Sequence, residues 1–185
     1  AGYLVTWGGQ FRLQQEANKR FAVVIPITLL LIFLLLFFNF GSVKNSLLIL
    51  LNIPLALIGG VVGLWITGQN LSVPSSVGFI ALFGVALENG MILVTYFNQL
   101  MREGLKIDEA SVKGALLRVR PVLMTALTTA LGLIPLLFAA GTGSEVQRPL
   151  ATVVVGGLFT STILTLLVLP ALYKWFSIKF SEREM

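Results

Sequence analysis

The sequence contains neither cysteine nor histidine. Without cysteine no disulfide can form, and with neither residue present no thiolate or imidazole metal site can exist in this chain. Nucleophilic catalysis by cysteine–histidine or serine–histidine pairs is excluded on the same ground. Charge is scarce as well. Asp, Glu, Lys and Arg make up 11% of the 185 residues, where a soluble domain carries about a quarter. Such a chain cannot clothe a water-exposed surface, and 56% hydrophobic residues exclude disorder.

What is present is long apolar runs. No charge occurs from Phe21 to Val43, from Asn45 to Leu87, from Pro121 to Ser144 or from Pro149 to Tyr173. About 20 apolar residues cross a bilayer as a helix, so the chain reads as an all-α integral membrane protein. Five spans are expected, at about 21–40, 46–66, 73–99, 121–140 and 150–176. The first, FAVVIPITLLLIFLLLFFNF, has no polar face and should touch lipid along much of its girth. Gly68-Gln69-Asn70 divides the longest run, and Pro121 sits where a favoured first helical residue would stand. Pro26, Pro54, Pro135 and Pro170 interrupt four helices, and Gly59-Gly60 loosens the second. Breaks of this kind permit kinks and the rigid-body movements of alternating access.

The net charge of +5 reflects topology, not affinity for nucleic acid. Alternating the connections by side puts Lys44, Arg102, Lys106, Lys113, Arg118, Arg120, Lys174, Lys179 and Arg183 together. Arg12, Lys19, Arg20 and Arg148 fall opposite. The positive-inside rule makes the nine-charge side cytoplasmic. The chain then begins outside and ends inside, as expected of a carboxy-terminal fragment. Residues 1–20 read as the end of an outer domain and its lead-in, and 177–185 as a cytoplasmic tail. Between the third and fourth spans, 102–120 reads as an amphipathic cytoplasmic connector.

Glu88 is the one charged residue placed well inside a span. A carboxylate there costs on the order of 2.5–3.5 kcal/mol by insertion scales, so such groups face a bundle interior and serve transport or proton movement. Helical spacing sets Ala81, Gly84, Glu88 and Thr95 on one stripe, whose small residues mark a packing face. In the fourth span Arg118, Thr125 and Gly132 recur every seven residues. Arg118 stands at the cytoplasmic mouth, and Thr125 offers a hydroxyl able to relay a proton or hold a water. Taken singly, a membrane threonine more often bonds its own backbone. Gly156 and Gly157 with Thr160, Ser161 and Thr165 form a packing stripe in the fifth span. One intramembrane acid leaves no acid–base pair, so enzymatic function has no support.

The run from Gly78 through Glu88-Asn89-Gly90, followed by Arg118-Val119-Arg120-Pro121-Val122-Leu123-Met124-Thr125, resembles the tenth and eleventh helices of resistance-nodulation-division exporters. Gly143-Ser144-Glu145-Val146-Gln147-Arg148-Pro149-Leu150-Ala151 and Val168-Leu169-Pro170-Ala171-Leu172-Tyr173 resemble the heavy-metal efflux branch, of cobalt-zinc-cadmium type. Trp7-Gly8-Gly9-Gln10-Phe11 is similar to the end of that branch's second periplasmic loop. The resemblance implies helices eight to twelve of a twelve-helix protomer in a homotrimeric inner-membrane pump. Such a pump exchanges a divalent heavy-metal cation for protons, docks to a periplasmic adaptor and an outer-membrane channel, and needs no cofactor. Drug exporters of the superfamily carry lysine-asparagine where this chain has Glu88-Asn89, in a relay with acids of the fourth helix. Carried over by position, Glu88, Asn89, Arg118 and Thr125 become relay candidates. Export of drugs or lipids by the same fold is the alternative, and a non-transporting membrane scaffold is a second.

Overall fold

The computed structural model describes residues 10–181. Trp7-Gly8-Gly9 of the family motif and the last four residues of the tail lie outside the described residues. The chain forms α1 (Gln10–Phe40), α2 (Val43–Leu50), α3 (Asn52–Ile66), α4 (Val73–Arg102), α5 (Ile107–Leu137) and α6 (Ser144–Ser181), with no strand among the described residues. With α2 and α3 taken together, five segments are long and apolar enough to cross a membrane. The all-helical membrane fold expected from the charge-free runs is the fold observed. Each connection between spans turns on a glycine at positive φ, namely Gly41 (61°), Gly68 (65°), Gly104 (94°) and Gly141 (99°), a region that residues with a Cβ avoid.

Helix boundaries depart from expectation where proline reads as punctuation. The second span is two helices joined at Leu51, which itself stays right-handed at φ −60° and ψ −18°. Pro54 has no N–H to offer Leu50, so one rung of the ladder is missing where α2 gives way to α3. Pro121, by contrast, starts nothing. It lies inside α5, which is continuous from Ile107, so residues 107–120 of the expected connector are helical and run without a break into the fourth apolar run. Asp108 and Glu109 occupy the first turn of α5, where the helix dipole favours anions. In the same way α6 starts at Ser144, with Glu145 in its first turn and Pro149 carried inside. Only α4 begins where expected: Ser72 accepts from the Ser75 backbone N–H, Ser75 returns the bond, and Pro74 sits in the first turn.

The packing is centred on α6, which touches α3, α4 and α5 along its length, while α1 runs along the outside against α2 and α4. Glycines set the closest approaches. A Cβ on Gly156 would stand 2.7 Å from the Gly59 carbonyl oxygen, and one on Gly78 would stand 2.9 Å from the Leu150 carbonyl oxygen. Gly59-Gly60 is therefore no loose point. Gly59 lies against Gly156 and Thr160 of α6, and Gly60 against Phe79 of α4. Two apolar clusters fill the interior, one around Leu48, Ile49, Leu93, Val94 and Phe97, the other around Ala56, Leu82, Val153 and Leu158. At one end, Lys174 pairs with Asp108 at 3.2 Å, and the Tyr173 hydroxyl donates to Asn98 Oδ1 at 2.7 Å. Phe40, Arg102, Lys106 and Lys174 share that end, termed the basic side below.

Candidate functional site

Glu88 sits near the middle of the 30-residue α4, about 21 Å from either end at 1.5 Å per residue. Its side chain is exposed, as are Ala81, Gly84, Met91 and Thr95 on the same stripe. Among the described residues no hydrogen bond or ion pair reaches Glu88. Nothing lies within 4 Å of where a Cβ would stand on Gly84. Around Ala81, Gly84 and Glu88 the stripe is an open face among the described residues, while at Met91 and Thr95 it meets the end of α1, where Asn39 Nδ2 lies 4.0 Å from Met91 Sδ. Asn89 points the other way and is 4% exposed.

The next residue, Gly90, reveals a polar contact that the sequence pattern does not announce. Its bare Cα faces the Asn52 carboxamide from α3, which fills the space a Cβ would need. Asn52 is fully buried, and its Oδ1 accepts a hydrogen bond from the equally buried Thr165 hydroxyl of α6 at 3.2 Å. Its Nδ2 has no hydrogen-bond partner among the described residues. Asn52, Gly90 and Thr165 thus meet where α3, α4 and α6 converge, with Gly90 less than one helical turn beyond Glu88. A lone amide in an apolar span was the available signal.

The fourth-span candidates fall on different surfaces. The Arg118 guanidinium lies over the Tyr96 ring, 4.5 Å from its centroid, which ties α5 to α4 by a cation–π contact. Thr125 is exposed and its hydroxyl donates to the Pro121 carbonyl of its own helix at 3.0 Å. Thr128 and Thr129 do the same toward Met124 and Thr125. Around Gly132, too, the space a Cβ would occupy is empty to 4 Å among the described residues, so this glycine makes no close helix contact there. Gly156 and Gly157 do lie in contact, the first against Gly59 and Gly63 of α3, the second against Leu82 of α4. Among the described residues no bond joins Glu88 to Arg118 or Thr125. There is also, among them, no group of three or more carboxylates, histidines or cysteines able to hold a metal.

Five segments long and apolar enough to cross a membrane, with one carboxyl near the middle of a span on a face open among the described residues, define a polytopic membrane protein. The chain belongs to the AcrB/AcrD/AcrF family, whose model matches residues 1–177. It is 54% identical over 174 residues to the cobalt-zinc-cadmium resistance protein CzcA of Cupriavidus metallidurans, covering 94% of this chain and 16% of that protein. The nickel and cobalt resistance protein CnrA of the same organism is 48% identical over 171 residues, covering 92% of this chain and 16% of its own length. A heavy metal efflux pump solved by X-ray crystallography (crystal form II) superposes with a TM-score of 0.85 at 52% identity, over 96% of this chain and 18% of that one. The chain thus spans about a sixth of the length of these relatives, and the family that its motifs resemble is the one matched.

Proposed function

We propose that the chain is the carboxy-terminal transmembrane part of a proton-driven heavy-metal cation efflux pump, with Glu88 as its proton-coupling carboxyl. The observation that carries this reading is the placement of Glu88: mid-span, unpaired among the described residues, on an open stripe of small residues. A carboxyl so placed acquires its partner from a helix beyond these residues. A change in its protonation then changes the attraction between the two helices. Arg118, held against α4 by Tyr96, is the group through which that change reaches α5, and Asn89, on the buried side of α4, carries it into the bundle. Thr125 completes the relay by turning its hydroxyl away from the Pro121 carbonyl.

The substrate class, a divalent cation of the zinc, cobalt or cadmium kind, follows the resistance proteins to which the chain is similar. The surplus of basic residues beside Phe40, Arg102 and Lys174 supports a cytoplasmic basic side and a periplasmic start, in an inner membrane. A homotrimer with a periplasmic adaptor and an outer-membrane channel is the assembly this reading entails.

The test is the complete pump in proteoliposomes carrying Glu88→Gln, with metal-driven proton flux as the readout. Gln keeps the size and hydrogen bonding of the side chain but cannot exchange a proton. Flux should fall by about a hundredfold or more, as losses of positioned acid–base groups do, with metal binding retained. Unchanged coupling removes Glu88 from the mechanism and favours a scaffold role. Export of drugs or lipids with no response to metal assigns the fold to the other exporter class.

A further inference from the structure

Polar side chains on the open face of α4 do not stop at Glu88. Toward the basic side Thr95, Gln99 and Arg102 follow at helical spacing and are all exposed. Beside them α1 ends, and Asn39 of its last turn joins Thr95, Asn98, Gln99, Arg102 and Phe40 in lining a cleft of about 360 Å³. All but Phe40 are polar or charged. The groove between α5 and α6 is the contrast: of about 200 Å³, it is lined by Leu, Ala, Phe and Ile with Thr162 alone among them.

Lipid chains suit the second groove and not the first. Within hydrocarbon every polar group has to find a partner in the protein. Thr95 does so through the Met91 carbonyl at 2.8 Å, Asn98 Oδ1 through the Tyr173 hydroxyl, and Gln99 Nε2 through Glu103 Oε1 at 3.0 Å. The guanidinium of Arg102 has no partner among the described residues. It stands at the mouth of the cleft, where only water or headgroups can solvate it. Asn39 Nδ2 reaches 4.0 Å from Met91 Sδ, and Met91 lies one turn from Glu88. The polar lining therefore approaches within about 5 Å of the carboxyl's own level along the helix.

We infer that the cleft lined by Asn39, Thr95, Asn98, Gln99 and Arg102 is a water-filled vestibule, open on the basic side, through which Glu88 exchanges its proton with the solution there. The proton passes from the carboxyl to a vestibule water and leaves carboxylate behind. That second half rests on the proposed role of Glu88; the hydration of the cleft does not.

The experiment uses the full-length pump, freed of other cysteines, in membrane vesicles of both orientations. Single variants Asn39→Cys and Thr95→Cys are treated with a charged, membrane-impermeant thiosulfonate. Leu35→Cys, on the exposed apolar face of α1, and Leu93→Cys, fully buried, are the references. Only the thiolate reacts, and it forms only in water, so rate reports hydration; the cleft positions should react at least about tenfold faster than both references. They should do so only from the basic side. Rates equal to Leu35→Cys, or reaction from the opposite side, overturn the vestibule. In proteoliposomes, the double variant Asn39→Leu, Thr95→Val should slow proton flux by about tenfold with metal binding intact, the effect expected of a lost water path. Unchanged flux in that variant overturns the proton route. Should Glu88→Gln leave coupling intact while the cleft cysteines still react, the coupling role of Glu88 fails and the vestibule stands.

Discussion

Asn52 has no polar neighbour in sequence for several residues on its C-terminal side, yet it is fully buried at a three-helix junction. One of its polar ends is satisfied by Thr165 at 3.2 Å, and the other has no partner among the described residues. Leaving a buried polar group unpaired costs about 1–3 kcal/mol, while interhelical bonds in membranes average about 0.6 kcal/mol. Thr165→Val orphans both ends of the carboxamide and should destabilise the full-length pump by about 1 kcal/mol, read as a lower midpoint of thermal unfolding in detergent. Thr165→Ser should lose little, because the hydroxyl remains. The double variant Asn52→Leu, Thr165→Val should recover most of the loss, since removing both partners leaves nothing unpaired. If the double variant is less stable than Thr165→Val alone, the carboxamide has a second partner and this account of the junction is wrong. Glu88 stands out in the sequence because a carboxyl inside a span is costly and therefore rare. Asn52 does not: an uncharged amide gains meaning only once Gly90 and Thr165 are known to face it. Thr125 shows the opposite limit, since a hydroxyl bonded to its own Pro121 carbonyl looks the same in sequence as one poised to relay.

Glycine and proline each carry two readings, and which one holds depends on the neighbouring helix. Small residues in α6 are legible as a packing stripe, because Gly156 and Gly157 recur with threonine and serine on an otherwise bulky helix. Gly59-Gly60 reads in the sequence as a flexible spot, and the structure presses Gly59 against Gly156 and Thr160 of α6 and Gly60 against Phe79 of α4. Pro121 reads as a helix start, and α5 runs through it. A proline removes one hydrogen bond, at a cost of about 3 kcal/mol in a helix interior, and a helix 31 residues long that packs on α4 and α6 can sustain that loss. The glycine contacts separate by what a methyl group would strike. On Gly156 it meets the Gly59 carbonyl oxygen at 2.7 Å and the Gly63 Cα at 3.2 Å, both backbone. On Gly157 its nearest neighbour is the Leu82 side chain, which is fully buried but is not backbone. Gly156→Ala should therefore destabilise the pump by about 2–3 kcal/mol and Gly157→Ala by about 1 kcal/mol, within the range for overpacked interiors. Equal melting temperatures for the two variants would mean that α3 and α6 slide apart freely.

The molecule's outer surface divides into two kinds of face. Along α1 it is bulky and apolar, with Leu35 70% and Phe38 79% exposed, as a lipid-facing helix requires. Along α4 it is small and polar: Ala81, Gly84, Glu88, Thr95, Gln99 and Arg102. The charge-free runs make the five spans legible, but not this division, because a stripe of small residues reads alike whether its partner lies within the chain or beyond it. The chain covers 16% of CzcA and 18% of the solved pump, so most of the length of each lies outside the matched segment. Gly84 tests which kind of face this is. Among the described residues nothing from another helix lies within 4 Å of where its Cβ would stand, and a leucine there favours the helix by about 1 kcal/mol over glycine. Judged on these residues alone, Gly84→Leu is harmless. If α4 instead meets a helix from the rest of the pump across the Glu88 stripe, leucine holds the two apart and separates the carboxyl from its partner. Metal transport by the full-length variant should then fall by about tenfold or more, while Gly84→Ala stays near wild type, because close helix approach in membranes tolerates small residues and not large ones. Wild-type transport by Gly84→Leu would place lipid against this face. Glu88 would then be left without the partner that its coupling role needs.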